Sequence, residues 1–316
     1  FLLVDDERNS YVYKSLSTPK DPSEGVLDGF KMIAEDRDKE IVEFFREVNT
    51  IVHGTTITTN AVLTREGAKA GFITTKGFRD PLVLRRGVKK EQYNFHCAPE
   101  PNIIPRHLIQ VIGERVNCEG KVLTPLVEED VYKAIKKFKE QKVEAIGVTF
   151  LFSFYNSSHE TRVGEILRKE MPNTFVTLST EILPQIRLYE RCSTVALNAY
   201  VGPALSQYLN KLKERLDALK FKGILLIMQS NGGVMSPEIA KKFAMNTLLS
   251  GPAGGPAAGL FYASAYNTSD IITIDMGGTS FEACLVKGGE PQITTEGEVG
   301  GEWLARPAPR IEPATH

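Results

Sequence analysis

The sequence has 316 residues, of which 42% are hydrophobic and 24% charged, a composition typical of a globular protein with room for two domain cores. Its 38 basic and 39 acidic residues give a formal net charge of -1, so we predict neither a nucleic-acid nor a membrane partner. The four cysteines, Cys97, Cys118, Cys192 and Cys284, are widely spaced without a C-x-x-C pair, which favours a cytoplasmic location.

The two ends of the chain resemble cut points. Residues 1–6, FLLVDD, open as a strand, without an initiator Met or the basic region of a signal peptide. Residues 300–316 are rich in proline and follow no helical or strand period, which predicts a loop or a truncated edge. We therefore expect the chain to be a fragment of a longer protein.

Short apolar runs alternate with longer amphipathic stretches, which predicts an α/β protein. The predicted strands, some continuing into loops, lie at 1–6, 50–56, 70–75, 145–152, 175–180, 223–235 and 270–278. The predicted helices lie at 22–48, with Ser23 as the capping signal, and at 128–142, 157–171 and 190–219. Residues 250–267 are predicted to be a glycine loop leading into a helix, and 81–125 to be irregular.

A weak internal repeat links the beginning and the end of the chain. Aligning residues 1–15 with 283–297 places Leu3 beside Leu285 and gives strand, tight turn and strand in both copies. If the repeat is real, each half of a duplicated domain carries one such hairpin. The alternative is two unrelated hairpins.

The turn at 275–280, Asp-Met-Gly-Gly-Thr-Ser, has the chemistry of a phosphate site. Gly277 and Gly278 allow backbone N–H groups to approach phosphate oxygens, and Thr279 and Ser280 add hydroxyl donors. Asp275 repels phosphate and is best explained by a water-bridged Mg²⁺ ion. The alternative is a hairpin whose aspartate caps its own turn.

Three further loops, at 53–65, 229–236 and 249–259, each follow a strand and precede a helical stretch, where helix N-termini favour anions. For nucleotide or phosphate binding we predict Gly54, Thr55, Thr56, Asn60, Gly251, Gly254 and Gly255. For a substrate or nucleotide loop we predict His53, Ser230, Asn231, Gly232 and Gly233. Ordinary turns, close helix packing and a structural histidine are the alternatives, and neither a P-loop nor a dinucleotide fingerprint is present.

Beyond these single signals, the motif series resembles a known family. DMGGTS is similar to the phosphate turn of the actin, sugar-kinase and heat-shock ATPase superfamily. HGTTITTNAVLTREGAKAGFITTKGFRD, FSFYNSSHE, YERCSTVALNAYVGPAL, QSNGGVMS and LSGPAGGPAAG, in this order, resemble the hydantoinase A / 5-oxoprolinase family. The resemblance implies an α/β, actin/sugar-kinase-like ATPase fold with duplicated ribonuclease-H-like domains, incomplete here, with a first phosphate turn before Phe1. It implies domains at 1–185 and 186–316.

The resemblance also implies a function. It predicts ATP- and Mg²⁺-dependent opening of a cyclic amide or imide such as hydantoin, N-methylhydantoin or 5-oxoproline, with a hydantoinase B-like partner subunit or fused domain, in an oligomer. Asp275 and Glu282 are the predicted catalytic acids, Asp275 also holding Mg²⁺ through water, although Glu282 stands near where the family has aspartate. The alternatives are an ATP-dependent ketone carboxylase subunit, and a small-molecule kinase or non-catalytic nucleotide-binding module. The chain alone is predicted to be inactive and to bind ATP weakly at most.

Two pairs of ionisable residues are predicted to be structural. His159 and Glu160 open a predicted helix without the H-E-x-x-H spacing of a zinc site, which favours a helix cap. Glu190 and Arg191 begin another predicted helix and are expected to pair with neighbours.

Overall fold

A computed structural model of the protein describes residues 1–18, 21–87, 93–96, 102–276, 281–299, 302–311 and 314–315. At residue 252, at 281–282 and from 293 onward only the backbone is described. The chain divides into two units, the first formed by Phe1–His53 with Leu205–Leu226 and the second by Gly54–Ala204 with Ile227–His316.

The described helices are α1 Pro22–Asp36, α2 Ile41–Glu47, α3 Ile57–Leu63, α4 Pro81–Leu84, α5 Glu128–Glu140, α6 Ser158–Glu170, α7 Ser179–Ile182, α8 Leu188–Ala218, α9 Pro237–Lys242 and α10 Ser250–Ala265. Short 3-10 helices lie at Arg106–Leu108 and Ala244–Thr247. The described strands are β1 Leu2–Val4, β2 Ser10–Val12, β3 Thr50–His53, β4 Ala70–Thr75, β5 Ile109–Ile112, β6 Arg115–Val116, β7 Val122–Thr124, β8 Ala145–Thr149, β9 Phe175–Leu178, β10 Ile224–Met228, β11 Val234–Met235, β12 Ile271–Met276, β13 Phe281–Lys287, β14 Glu290–Pro291, β15 Ile293–Val299, β16 Glu302–Ile311 and β17 Ala314–Thr315.

The first helix of the first unit differs from its prediction at both ends. Its N-cap is Asp21 rather than Ser23, because the Asp21 carboxylate accepts hydrogen bonds from the Ser23 N–H (3.2 Å) and hydroxyl (2.6 Å). The helix ends at Asp36 instead of continuing to 48, since Asp38 adopts a left-handed φ of 51° that a helix cannot accommodate. Residues 22–48 therefore form two helices, α1 and α2.

A row of four phenylalanines packs in the first unit, with Phe30 and Phe45 buried. The ring centroids of Phe1 and Phe30 are 5.6 Å apart, those of Phe30 and Phe45 5.0 Å, and those of Phe45 and Phe221 5.9 Å, all with edge-to-face geometry. Aromatic pairs with this geometry stabilise a fold beyond the burial of their area. The N-terminal residue is thus part of the packing.

The second unit is built on a parallel sheet with strand order β5-β4-β8-β9. Strands β4 and β8 are buried at every position, as expected for a parallel sheet covered on both faces. A Cβ added to Gly71 would lie 2.6 Å from Phe138 of α5, and one added to Gly147 2.8 Å from Val195 of α8. Glycines therefore let helices pack closely on the two faces.

The predicted irregular segment 81–125 contains strand β5, so that prediction was wrong there. Ile109–Ile112 pairs with β4 at the edge of the sheet, and only its two end residues are buried. A four-residue edge strand inside a proline-rich stretch gives almost no periodic signal.

An antiparallel sheet, β12-β13-β14, lies next to α10 in the second unit, and β15 pairs separately with β16. Thr273 and Ile271 of β12 contact α10 where Gly259 lacks a side chain. The strand–turn–strand prediction is confirmed at both ends of the repeat, as hairpins β1–β2 and β13–β14. Whether the two arose by duplication stays a hypothesis.

Among the helices of the described residues, none is both long and apolar enough to cross a membrane.

Candidate functional site

Three of the predicted loops meet in the second unit, where buried hydroxyl groups join them. The Leu249 N–H donates to Thr59 Oγ1 (2.9 Å), and the Ser250 hydroxyl donates to the Thr55 carbonyl (3.2 Å). Thr58 and Thr247 are hydrogen-bonded at 2.9 Å, and because Thr247 donates to the Ala244 carbonyl, Thr58 is the donor of the pair. The hydroxyls of Thr58, Thr59, Thr247 and Ser250 thus fix the loop before α3 against the start of α10; we call them the hydroxyl cluster.

The glycine loop predicted to lead into a helix within 250–267 is itself helical, because α10 begins at Ser250. Its N-cap, Leu249, is left-handed with φ 58° and ψ 27° and is held by the bond to Thr59. Because the chain turns before Ser250, Gly251 and Gly254 lie inside the helix rather than in a turn, and of the two only Gly254 is in close contact with another side chain, that of Met228.

Met228 fills the space among the glycines. A Cβ on Gly54 would lie 3.5 Å from the Met228 sulfur, and one on Gly254 3.2 Å from its methyl carbon. A Cβ on Gly251 would lie 3.9 Å from Thr56 Cγ2, and one on Gly255 3.9 Å from Thr273 Oγ1. Gly54, Thr56, Gly251 and Gly254 are therefore brought together, as predicted, while Gly255 faces β12.

The start of α10 has the chemistry of an anion site. Gly251 and Thr56 are both exposed, and the first N–H groups of a 16-residue helix carry the positive end of its dipole. Among the described residues, no acceptor is bound to the N–H of Ser250 or Gly251. Asn60 is exposed beside them and donates to Thr56 Oγ1 at 3.3 Å.

The loop at 229–236 is a hairpin turn between β10 and β11. Asn231 accepts from the Gly233 N–H (2.8 Å), and Gly232 has a φ of 79° that favours glycine. Ser230 is 1% exposed, its N–H donates to the Asn246 carbonyl (2.8 Å), and its hydroxyl donates to the Leu248 carbonyl. Asn231, Gly232 and Gly233 thus form the turn, while Ser230 holds the segment before α10.

His53 belongs to the first unit, where Tyr208 occupies its Nε2 at 2.7 Å. Burial lowers the pKa of His53 to about 4, so the ring is neutral at pH 7 and accepts the phenolic hydrogen. Burial also raises the pKa of Tyr208. These contacts favour the alternative of a structural histidine.

Asp275 lies near the end of β12 and is exposed. Alternation along the strand puts it on the face of Ile271 and Thr273, which contact α10, and beyond them toward the start of that helix. In the antiparallel register Asp275 lies opposite Glu282.

The predicted phosphate residues Gly277, Gly278, Thr279 and Ser280 lie outside the described residues. Within the described part of the chain, no cluster of three or more His, Cys, Asp or Glu residues forms a metal site.

Two structural residues differ from their predicted roles as a helix cap. Glu160 is fully buried and accepts from the N–H groups of Phe150 (3.0 Å) and Thr180 (2.7 Å) instead of capping its own helix. Burial raises the pKa of Glu160, whereas these bonds lower it. His159 contacts Glu114, 45 positions away in the sequence. A local sequence pattern cannot predict hydrogen-bond partners that are 20 to 45 positions apart in the chain.

The hydroxyl cluster was missed from the sequence, apart from its neighbours Thr55 and Thr56. Thr58 and Thr59 stand in the run TTITTN, whose density of hydroxyls was the available signal. Their partners lie near residue 248, and only the fold brings them together.

Comparison with known proteins identifies the family of the chain. The family model described as the hydantoinase/oxoprolinase N-terminal region matches residues 1–171, and the one described as hydantoinase/oxoprolinase matches 191–312. The chain belongs to the hydantoinase/oxoprolinase family. The resemblance noted in the sequence is therefore confirmed.

Several curated members of the hydantoinase/oxoprolinase family are similar to the chain. The caprolactamase subunit alpha of Pseudomonas jessenii is 34% identical over 94% of this chain and 43% of its own length. The acetophenone carboxylase gamma subunit of Aromatoleum aromaticum is 30% identical over 96% and 43%. The 5-oxoprolinase of Saccharomyces cerevisiae is 28% identical over 87% and 24%. The chain thus spans less than half the length of these relatives.

Two solved structures share the fold. The ATP-dependent caprolactamase from Pseudomonas jessenii has a TM-score of 0.89 and 33% identity, covering 99% of this chain and 45% of that one. The nucleotide-free acetone carboxylase has a TM-score of 0.89 and 25% identity, covering 100% and 46%. The predicted α/β, actin-like ATPase fold class is confirmed.

Proposed function

We propose that this protein uses ATP to open the ring of a cyclic amide or imide. The observation that carries the proposal is the meeting of the loop at 54–56 with the first turn of α10, held by the buried hydroxyl cluster. Exposed N–H and hydroxyl donors at the positive end of a helix suit the phosphates of a nucleotide. The relatives that include an ATP-dependent caprolactamase and 5-oxoprolinases support the choice of reaction.

The chemistry follows from the stability of amides. Transfer of the ATP γ-phosphoryl group to the carbonyl oxygen releases ADP and leaves a phosphorylated imidate, a better electrophile than the amide. One water adds to its carbon, the C–N bond breaks to free the amine, and a second water releases phosphate from the acyl phosphate. Phosphoryl transfer requires positioning and charge stabilisation more than a protein nucleophile.

We assign the phosphate contacts to Gly54, Thr56 and the first turn of α10 with Gly251, and, as predicted from the sequence, to Gly277, Gly278, Thr279 and Ser280. Gly254 would act by letting α10 pack closely on Met228, and Thr55, Asn60 and Ser230 by supporting the loops, while Gly255 is given no direct role. His53, Asn231, Gly232 and Gly233 are given no direct role.

Asp275 fits the requirements of a Mg²⁺ site. Asp275 is exposed near the end of β12, and its backbone pairs with that of Glu282 in the antiparallel register. Like charges at paired positions are unfavourable, and a cation would compensate them. Mg²⁺ binds carboxylates while keeping several waters, and would neutralise phosphate charge there. We propose that Asp275 holds it through water, with Glu282 assisting.

A carboxylase function is the second candidate. The acetone carboxylase structure covers this chain completely, and the acetophenone carboxylase subunit is 30% identical. The same phosphoryl transfer would then activate bicarbonate or a ketone enolate.

Several relatives are named as subunits of larger enzymes, and we therefore also propose a B-type partner and an oligomeric assembly for this protein. A cytoplasmic location remains a prediction from cysteine spacing.

The test is phosphate release by the complete protein with its partner subunit, in the presence of hydantoins, 5-oxoproline, lactams, or ketones with bicarbonate. We expect a cyclic amide to stimulate release and Asp275→Asn to reduce it at least about 100-fold, a typical loss for transition-state charge stabilisation. Asp270→Asn is the matched control, because Asp270 binds the Gly288 N–H in a hairpin at 2.6 Å.

Stimulation only by a ketone with bicarbonate would move the protein to the carboxylase class. Phosphorylation of a stable alcohol would indicate a kinase, and ATP binding without turnover a nucleotide-binding module. Equal activity of the Asp275 variant and wild type would refute the assigned role of Asp275.

A further inference from the structure

A cavity of about 250 Å³ lies in the second unit where the edge strand β5 meets helix α5. Its charged and backbone lining includes Arg79, Val111, Asp130, Lys133 and Lys137. The volume is slightly below the about 300–1,000 Å³ of sites for drug-sized ligands, which favours a small ligand. The cavity shares no residue with the hydroxyl cluster or with the predicted phosphate residues.

The backbone of β5 offers a hydrogen-bond donor to this cavity. The Lys76 N–H donates to the Ile112 carbonyl (2.9 Å), so the backbone polar groups of Ile112 face β4. In a parallel ladder the adjacent residues, Val111 and Gly113, then direct theirs to the outer edge of the sheet. The Gly113 N–H is bound by the Asp130 carboxylate (3.2 Å). Among the described residues, none accepts from the Val111 N–H, which is therefore available to a ligand.

Helix α5 brings one uncompensated positive charge to the cavity. The Lys133 ammonium lies 3.1 Å from the Asp130 carboxylate, and this hydrogen bond is the main reason why the pKa of Asp130 is lowered. These two residues therefore form an ion pair without net charge. Lys137, one helical turn after Lys133, is half-buried, and among the described residues no carboxylate forms an ion pair with it.

Arg79 brings a second positive charge and a buried donor that has no acceptor. One of its terminal nitrogens donates to the Arg106 carbonyl (3.0 Å), while the adjacent Asp80 carboxylate is bound by the Arg106 side chain at 2.7 and 2.8 Å. The Nε atom of Arg79 is buried and has no hydrogen-bond partner among the described residues. Because buried polar atoms are nearly always hydrogen-bonded, an unpartnered donor on a side chain that lines a cavity indicates a bound ion or water.

We propose that this cavity is a second anion site, which binds a small dianion of the phosphate class through Arg79, Lys137 and the Val111 N–H. The two uncompensated cations match the two negative charges of the ligand, and hydrogen bonds between ionised partners are the strong ones. None of the residues assigned to the nucleotide takes part, so this site and the proposed function can fail independently.

An acidic peptide that pairs with β5 as an added strand is the competing occupant. Strand addition requires a row of free N–H and carbonyl groups along the edge. Strand β5 has four residues, and the next outward-facing residue, Gly113, is already bound by Asp130. The closed form of the edge favours the small dianion.

The first test is NMR of the 316-residue chain labelled with ¹⁵N-valine and ¹⁵N-arginine, titrated with inorganic phosphate at constant ionic strength in sodium chloride. We expect saturable shifts of the Val111 amide and the Arg79 Nε–H signals, which are assigned by their loss in Val111→Ile and Arg79→Gln. Glycerol 3-phosphate separates the two sources of the anion. Tighter binding than inorganic phosphate would assign a phosphorylated small molecule, and weaker binding would assign free phosphate.

The second test measures the affinity for inorganic phosphate in variants that lose the same charge. We expect Lys137→Gln to weaken binding at least about tenfold, because it removes one of the two cations. Lys136→Gln is the matched control, since Lys136 is exposed on the same helix and is not part of the cavity lining. Its affinity should equal that of wild type.

Three results would overturn the proposal. The first is the absence of a saturable response of Val111 and Arg79 to either phosphate probe. The second is an equal loss of affinity in Lys137→Gln and Lys136→Gln, which would reduce the effect to the general charge of α5. The third is tighter binding of a hexaglutamate peptide than of both phosphate probes, with shifts along β5, which would assign the edge to a peptide.

Discussion

Two polar regions of the second unit are buried to a similar degree and differ in charge. The hydroxyl cluster at the start of α10 consists of neutral side chains, each 8% exposed or less. The carboxyl edge of the parallel sheet instead buries ionisable side chains, including Glu114, Glu160 and Arg191. The first region leaves the positive end of a helix uncompensated and available to an anion, whereas the second satisfies most of its charges internally.

The difference suggests that the two regions have different roles. Neutral hydroxyls position loops without competing for a charged ligand, because they add no net field. At the sheet edge, Arg191 donates to Ser153 (2.7 Å), to Ser179 (3.2 Å) and to the Phe150 carbonyl (3.0 Å), and burial lowers its pKa. Such a network stabilises one arrangement of the loops after β8 and β9.

Removing a buried charge should produce the largest effect on stability. Arg191→Leu removes the guanidinium donor to the Ser153 and Ser179 hydroxyls and one of the donors to the Phe150 carbonyl, which still accepts from the Ser153 hydroxyl (3.0 Å). It also removes the positive charge near Glu160. We expect a loss of about 3–5 kcal/mol in the free energy of unfolding, the range for breaking a buried charge network. Denaturant unfolding followed by circular dichroism measures it.

The matched control for this prediction is Arg162→Leu. Arg162 is 49% exposed and pairs with Glu128 (2.7 Å) and Glu165 (3.1 Å) on the surface, where an ion pair contributes about 1 kcal/mol or less. Similar losses in both variants would remove the distinction between buried network and solvated surface.

The sequence predicts the helices and strands better than the contacts between distant residues. Long amphipathic helices such as α5 and buried strands such as β8 follow from periodicity, and the hydroxyl-rich run before α3 was recognised as part of a site. Partners far apart in the chain were not, because Glu114 and His159, or Thr59 and Leu249, are joined only by the packing of helices on the sheet. The helical start of α10 at Ser250 was missed for a related reason, since tertiary contacts stabilise a helix despite its glycines.

The neutral pair of His53 and Tyr208 in the first unit should lose stability in acid, when His53 becomes charged. The pKa of His53 is about 4 in the folded protein and about 6.5 when unfolded, so its contribution is complete above pH 6.5 and is lost as the pH falls toward 4. We expect a loss of up to about 3 kcal/mol over this window. His53→Gln, which keeps an acceptor for Tyr208, should remove this part of the pH dependence. Identical slopes in both proteins between pH 4 and 6.5 would contradict it.

Close packing of α10 on β12 should be sensitive to a single methyl group. A Cβ on Gly259 would lie 2.4 Å from Thr273 Cγ2 and 2.9 Å from Ile271 Cδ1, so Gly259→Ala forces the helix away from the strand. We expect a destabilisation of about 1–3 kcal/mol. At Gly255 the nearest atom would be 3.9 Å away, and Gly255→Ala should be neutral or stabilise by up to about 1 kcal/mol. Thermal unfolding of the Gly259→Ala and Gly255→Ala variants measures the difference. Equal melting temperatures would contradict the packing argument.

The narrowest change concerns a single hydroxyl of the cluster. Thr59→Val keeps the shape of the side chain but leaves the buried Leu249 N–H without an acceptor, which costs about 1–3 kcal/mol. Because Leu249 sets the start of α10, the same change should raise the KM for ATP in the complete protein more than it lowers kcat. Thr64→Val removes an exposed hydroxyl bound to the Asn60 carbonyl (2.9 Å) and should change stability by no more than about 0.5 kcal/mol. If both variants left the KM for ATP unchanged, the hydroxyl cluster would stabilise the fold without positioning the nucleotide loops, and its neutrality would have no bearing on anion binding.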